Sequence, residues 1–164
     1  MKVIKAIMAA VLMSGPVSIA SALTAADASS ILFVKQEEKV ARDVYRVLQA
    51  KWGCITFANI ALSEQQHMNA VDTLIARYGL TDTTPAEPGR FSIPELQALY
   101  DELVLLGSKS LQDALAVGVL IEKTDIADLQ EELGVTQERA IRTVFSNLLQ
   151  GSYNHLAAFI RALK

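Results

Sequence analysis

Phe57-Ala58-Asn59-Ile60-Ala61-Leu62-Ser63-Glu64-Gln65-Gln66-His67-Met68-Asn69-Ala70-Val71-Asp72-Thr73-Leu74 is the stretch that decides the fold. Phe57, Ile60, Glu64, His67, Val71, Leu74 and Tyr78 fall alternately three and four apart, the spacing of one face of a helix turned toward a core. Two neighbours on that face, Glu64 and His67, are ionisable although the rest is mainly apolar. The helix is predicted to begin near Thr56, whose hydroxyl can cap free N–H groups, and to stop at Tyr78 before Gly79.

The same punctuation divides the chain on either side. A first helix is predicted from Ser30 to Trp52, ending at Gly53, and a loop from Gly79 to Phe91. Ser92 then caps a shorter helix with Pro94 in its first turn, which stops near Gly107. Ser110 opens a helix reaching Leu133 before Gly134, and Thr136 caps a last one that runs to the C-terminus. No stretch of residues 29–164 alternates like a strand. The expectation is therefore one all-α domain, a four-helix bundle with a long helix-containing crossover between its second and third bundle helices.

Composition agrees, since 51% of the 164 residues are hydrophobic but only 6% aromatic, a balance that favours helix. Residues 1–22 are a separate matter. Lys2 and Lys5 lead an apolar run, Ile4 to Leu12, followed by Ala20-Ser21-Ala22 and Ala26-Asp27-Ala28, the order of a secretory leader cleaved after residue 22 or as late as 28. A retained anchor is the alternative, but the run falls short of the roughly 20 apolar residues a span needs, so no stable membrane insertion is expected after cleavage. The mature protein is expected outside the cytoplasm, periplasmic or extracellular. Losing Lys2 and Lys5 leaves 13 basic against 18 acidic residues, a net charge of −5, which argues against a nucleic-acid partner. With Cys54 as its one cysteine, the chain has no internal disulfide, and no nucleophile signature surrounds that thiol.

The polar interruption recurs on every long helix. The inward stripe of the first is Val34, Glu38, Ala41, Tyr45, Leu48 and Trp52. The third gives Leu111, Leu115, Gly118, Glu122, Asp125 and Leu129, and the fourth Ile141, Phe145, Leu148, Ser152, His155 and Phe159. A lone carboxylate in a dry core loses several kcal/mol of hydration or gives up its charge, so four such interruptions at one level call for a compensating charge. Glu38, Glu64, Glu122 and Asp125 match two divalent cations, with His67 and His155 as nitrogen donors. Glu-x-x-His within a bundle is the ligand device of di-iron and di-manganese sites, and mixed oxygen and nitrogen donors suit iron or manganese, with zinc a further candidate. Ordinary alternatives exist for single positions. Arg42 stands one residue off the stripe as a possible partner, Lys39 can reach solvent, and Glu122 and Asp125 can lie on a solvated face beside Lys123, Asp128 and Glu131. Gly118 and Gly151 remove side-chain bulk, either for helix packing or for the approach of another group.

Glu38-Lys39-Val40-Ala41-Arg42-Asp43-Val44-Tyr45 resembles the first-helix motif of rubrerythrin-like proteins, and Glu64-Gln65-Gln66-His67 their second-helix motif. Together with Ser63-Glu64-Gln65, Ile121-Glu122, Asp125-Ile126 and Asn154-His155-Leu156, these strings are similar to an uncharacterised prokaryotic ferritin-like family over about Leu32 to Leu163. The resemblance implies a ferritin-like bundle, metal ligation by Glu38, Glu64, His67 and Glu122, and two iron ions. Ser152-x-x-His155 departs from it, because rubrerythrins carry a second Glu-x-x-His there; Asp125 is the expected substitute. Their Cys-x-x-Cys electron-transfer domain has no counterpart.

The leading expectation is thus an exported di-iron protein that reacts bound iron with oxygen or peroxide, an oxidoreductase of ferroxidase or peroxidase type. Tyr45 is its candidate catalytic residue, placed to hydrogen-bond a ligand or pass an electron. A metal-holding or sensory bundle without turnover is the alternative, ahead of a purely structural bundle and of a haem between His67 and His155. A storage cage does not follow, and a homo-oligomer stays open.

Overall fold

The computed structural model describes residues 23–164; the leader expected over residues 1–22 lies outside the described residues. Five helices and no strand make up the described chain: α1 (Ala25–Trp52), α2 (Ile55–Tyr78), α3 (Pro94–Gly107), α4 (Leu111–Val135) and α5 (Arg139–Ala162). The all-α expectation holds, as does the placing of the short helix between the second and third long ones. Among the described residues no helix is long and apolar enough to cross a membrane.

Polar contacts give the helix directions. The start of α1 meets the end of α4, where the Thr136 hydroxyl donates to Asp27 (2.6 Å) and Ser30 donates to Glu132. The far end of α1 meets the turn that leads into α4, where the Trp52 indole donates to the carbonyl of Gly107, the last residue of α3 (2.9 Å), and Gly107 in turn lies against Ala114 at the start of α4. Likewise Tyr78 near the end of α2 donates to Glu138 at the start of α5 (2.6 Å). With α1 antiparallel to α4 and, across the Gly53-Cys54 turn, to α2, helices α2 and α4 run the same way. The connection between them must travel the length of the bundle, which explains residues 79–110.

Helix ends are set mostly as the punctuation predicts. Gly53 and Gly79 adopt left-handed conformations (φ 65° and 61°) at the ends of α1 and α2, and Ser110 accepts from Asp113 N–H (3.0 Å) at the start of α4. Four helix starts differ. Helix α1 begins at Ala25 instead of Ser30, because Thr24 and Asp27 form a reciprocal capping box, and Ser30 is engaged by Glu132. Cys54 occupies the N-cap of α2 without a side-chain bond, two residues before Thr56. Ser92 is taken by Gln36, so Ile93 holds the N-cap of α3. Thr136 donates its hydroxyl to Asp27 and accepts only from Glu138 N–H (3.3 Å), ahead of the helix, while Glu138 caps α5 through Ala140 N–H (3.4 Å). Helix α4 also runs through Gly134 to Val135.

Two apolar clusters fill the bundle. One contains Tyr45, Leu48, Phe57, Leu115 and Phe159; the other Val34, Val71, Leu74, Leu129 and Phe145. On all four long helices the polar stripe positions fall between members of the two clusters. The bundle is thus two hydrophobic halves separated by a polar belt.

The crossover is fastened to α1 by a row of buried polar side chains. Gln36 accepts from Ser92 N–H (2.9 Å) and donates to its hydroxyl (2.7 Å). Lys39 donates to Asp43 (2.7 Å) and to the carbonyls of Glu87 (2.8 Å) and Arg90 (3.1 Å), while Asp43 accepts from Gly89 N–H (2.9 Å). Lys39 is 1% exposed, so it does not reach solvent as its sequence position allowed. Its charge is balanced by Asp43 and its remaining donors are filled by loop carbonyls, which makes the burial tolerable.

Candidate metal centre

Five of the six stripe residues meet at the belt. Glu64 comes from the middle of α2 and lies between the two histidines, its Oε2 2.9 Å from His67 Nδ1 and its Oε1 3.0 Å from His155 Nδ1. His67 Nδ1 is also 3.1 Å from Glu38 Oε2 on α1, and His155 Nδ1 is 3.5 Å from Glu122 Oε2 on α4. One carboxylate is therefore shared, and each imidazole has a second carboxylate of its own. The two rings stack at 5.3 Å between centroids and 26° between planes.

Glu38, Glu64 and Glu122 are at most 2% exposed, so Glu122 does not lie on a solvated face. Arg42, the candidate partner from sequence, turns instead to Asp43 and Gln65 (2.6 Å). Asp125 stands at the same level but touches neither histidine; it accepts a hydrogen bond from Ser152. Tyr45 donates to Glu122 Oε1 (2.6 Å). Its hydroxyl is thereby assigned to a ligand candidate, and its ring packs 5.1 Å from Phe159 in the apolar cluster.

Charge in this belt is balanced by protons when no cation is bound. Burial opposes a charged His67, but its bond to Glu38 and the charge of Glu38 and Glu64 push it up to about 11. Burial likewise opposes His155, and contact with Glu122 and Glu64 carries it up to about 9. Burial works to raise Glu64, yet the two imidazoles hold it down to about 2. Burial raises Glu122 to about 8 against its His155 and Tyr45 contacts. Glu38 is held well above the usual carboxylate range by burial and by the charge of Asp125. Asp125 keeps some surface but is densely surrounded, and burial takes it up to about 6 against the Ser152 bond.

The belt is not satisfied by these contacts. Glu38 Oε1 and His155 Nδ1 are buried without a hydrogen-bond partner. For His155 the neighbouring carboxylates are near enough to attract a charge, but neither lies where its N–H would point. A converging set of carboxylate oxygens and imidazole nitrogens with unfilled bonding directions fits a metal ion better than a finished hydrogen-bond network. Glu64, His67 and His155 offer ligand atoms all within 4.8 Å of one another. Both Nδ1 atoms face the single Glu64 carboxylate, which stands where a haem iron would have to be.

Two residues beyond the stripe complete the setting. Ser63 Oγ is 2.8 Å from His155 Nε2; with Nε2–H donating, the Nδ1 lone pair is directed inward. Its signal in the sequence is faint, a four-residue spacing to His67. Gly151 faces the other imidazole, and a Cβ there would sit 2.4 Å from His67 Nε2. Gly118 by contrast meets the Phe159 ring, 2.6 Å from such a Cβ. One glycine admits a ligand candidate and the other an apolar ring.

Fold and site together define an all-α bundle whose buried Glu/His/His group can hold a metal. Residues 27–164 match the family described as an uncharacterised protein domain, DUF2202, and the chain belongs to that family. The expected likeness to an uncharacterised family is thus borne out, while the likeness to rubrerythrins rests on the motifs. The chain is 46% identical over 134 residues, 81% of its length and 72% of the relative's, to the uncharacterised protein MJ0754 of Methanocaldococcus jannaschii. The crystal structure of that hypothetical protein, from Methanococcus jannaschii DSM 2661, is similar with a TM-score of 0.84 at 41% identity, over 94% of this chain and 85% of that one. A DUF305 fragment from Deinococcus radiodurans gives a TM-score of 0.64 at 15% identity, over 86% of this chain and 97% of that one. That likeness concerns the fold alone.

Proposed function

We propose that this chain is an exported, ferritin-like carboxylate protein that binds two metal ions, iron in the first place and manganese or zinc as alternatives, and reacts bound iron with oxygen or peroxide. The observation that carries the reading is Glu64 standing between two imidazole Nδ1 atoms, each with a further carboxylate of its own. The long crossover between parallel α2 and α4 supports the ferritin-like assignment, because such bundles have one connection of that kind.

Glu38 and His67 would hold one ion, Glu122 and His155 the other, and Glu64 would serve both. When bound, iron supplies Lewis acidity and electrons for an oxidant. Tyr45 orients Glu122 through its hydroxyl bond. Ser152 holds Asp125 at the belt, where it supplies the fourth negative charge that two divalent ions need. The apolar clusters on either side exclude water and strengthen these attractions.

The test is to add ferrous iron without oxygen, count iron per chain, then admit oxygen or peroxide and follow ferric absorbance. About two irons per chain are expected on the precedent of di-iron bundles, and none in a Glu64→Ala, His67→Ala double variant. Equal iron in both proteins would sink the reading. A second reading, a metal-holding module without turnover, is favoured by the burial of the whole set, with His67 at 9% and His155 at 7% exposed. It predicts bound metal and no oxidant consumption.

The leader-like order of residues 1–22 supports a site outside the cytoplasm for the mature protein. Cleavage after Ala22 would keep the Thr24–Asp27 cap and the Asp27–Thr136 bond, whereas cleavage after Ala28 would remove both. N-terminal sequencing of the exported protein is expected to begin at Leu23.

A further inference from the structure

Helix α1 packs chiefly on α2, and α4 on α5; the seam between α1 and α4 is looser, and α3 lies across it. Under α3 the seam holds a cavity of about 50 Å³ whose lining is divided. Aliphatic side chains, Ala41, Leu96 and Ile121 among them, form one part, and Glu37 of α1 with Thr124 and Asp125 of α4 form the other. Thr124 is exposed, so the polar part meets solvent. The space suffices for a few waters at roughly 10–15 Å³ each.

The polar part is acidic. Glu37 is in hydrogen-bond contact with the half-buried Asp128, which follows Asp125 by one turn of α4, and two carboxylates that close share a proton or a cation. Glu37 keeps some surface, but burial and the charges of Asp128 and Asp125 hold it well above the usual carboxylate range. No lysine or arginine lines the cavity. The basic side chains beside Glu37 along α1, Lys35, Lys39 and Arg42, are committed to Asp72 and Asp43.

Behind this acidic edge stands an unfilled group. Glu38 is 2% exposed, and its Oε1 has no partner, while Oε2 is turned to His67 (3.1 Å). Asp125 is the carboxylate whose charge bears most on Glu38, ahead of Glu64, so the unfilled oxygen belongs to the Asp125 side of the belt. Ser152 takes Oδ2 of Asp125, which leaves Oδ1 for a cation. From outside inward the order is Asp128 with Glu37, then Asp125, then Glu38. Among the described residues it is Glu64, His67 and His155 that converge within 4.8 Å, so the outer carboxylates suit the transfer of a cation better than its retention.

We propose that Asp128, Glu37 and Asp125 form an entry path for divalent cations, which carries them from the outer edge of the α1–α4 seam to Glu38 Oε1 at the candidate metal centre. The destination rests on the metal-centre reading above; the path itself concerns the rate of filling and not the amount bound.

The probe is ferrous iron, added without oxygen to the full mature chain, with free iron removed at timed intervals and bound iron counted. Glu37→Gln with Asp128→Asn keeps the shape of both side chains and removes their charge, and neither residue is a ligand of the centre. This double variant is expected to fill about tenfold more slowly in low salt, the lower end of what charged clefts gain in association rate, and to reach the same final iron per chain. Added salt should slow the wild type and leave the variant little changed, because screening acts on the attraction that the variant lacks. Asp82→Asn with Glu87→Gln, on the exposed part of the crossover, removes the same charge elsewhere and should fill at the wild-type rate. Asp128→Asn alone serves if the double variant does not fold. Filling as fast in the Glu37 and Asp128 variant as in the wild type would overturn the path, as would equal slowing in the crossover variant. A lower final iron count would also overturn it, because these carboxylates would then be ligands. A wild-type chain that takes up no iron would sink the metal-centre reading and the path with it, whereas equal filling of wild type and variant sinks the path alone.

Discussion

The two halves of the belt hold their histidines by different means. His155 has a hydrogen-bond partner behind it, Ser63 on Nε2, and its neighbour Glu122 is oriented by Tyr45. His67 has shape behind it, because its Nε2 faces Gly151, where even a methyl group would intrude. Polar contacts set the ring on one side, and a missing side chain sets it on the other. Glu64 is the member common to both. The comparison teaches that a site read as a ring of equivalent ligands has one shared residue and two independently supported sides.

Removing the shared member has the largest expected effect. Glu64→Ala leaves two imidazoles, each raised toward the charged form, without the carboxylate between them. Breaking a buried charge pair in this way costs about 3–5 kcal/mol. Metal loss from both halves together is expected by elemental analysis, with a matching fall in metal-free stability by denaturant unfolding. Retention of one full equivalent of metal would show that the halves do not share Glu64.

Gly151→Ala breaks one half. The added methyl group must displace the His67 ring, and overpacking of this kind costs about 1–3 kcal/mol, partly offset by the roughly 1 kcal/mol helix advantage of alanine over glycine. Gly118→Ala makes a comparable collision, but with Phe159, and is the control. Both variants are expected to lose stability, while only Gly151→Ala loses metal from the Glu38–His67 side. Equal metal content in the two would reduce Gly151 to ordinary helix packing.

Ser63→Ala acts on the other half and more gently. His155 loses the group that fixes its Nε2–H, while every direct ligand stays in place. Outer partners of metal-bound histidines typically change affinity about 10–100-fold, so titration calorimetry should resolve one weakened ion and one unchanged. Two equally weakened ions would mean that the sides are not separately supported.

Why the stripe was legible and its supports were not follows from what a helix period records. Glu38, Glu64, His67, Glu122 and His155 stand out because each replaces an apolar residue at a spacing that points inward, and all five meet in the structure. Asp125 satisfies the same spacing but sits at the edge of that face, where Ser152 takes its carboxylate. Gln36, Lys39 and Asp43 are buried on a different face of α1, against the crossover. Their polar types signal solvent in any pattern reading, and only the loop carbonyls and N–H groups they meet reverse that. The helix starts at Thr24 and Glu138 were hidden for a related reason: Ser30 and Thr136, the better-looking caps, are spent on contacts between distant segments.

Acidity offers the gentlest way to sharpen the comparison, because protons and metal compete for the same belt. In the metal-free protein the folded state holds protons on His155 up to about 9 and on His67 up to about 11. Each contribution to stability is complete below the ordinary histidine value of 6.5 and is lost as pH rises through the folded value. Glu122, raised to about 8, adds a loss of the same sign between 4.5 and that value. Glu64, lowered to about 2, contributes above 4.5 and loses its share as pH falls through 2. The metal-free thermal midpoint should therefore be highest in mild acid and decline from about pH 6 to about pH 9. Bound metal displaces these protons and is favoured by their removal, so the metal-loaded midpoint should hold or rise over that interval. The His155 half, with the lower folded value, should give up its proton first, and NMR titration of the two imidazoles resolves the order; parallel melting profiles with and without metal would show that the cation does not occupy the belt.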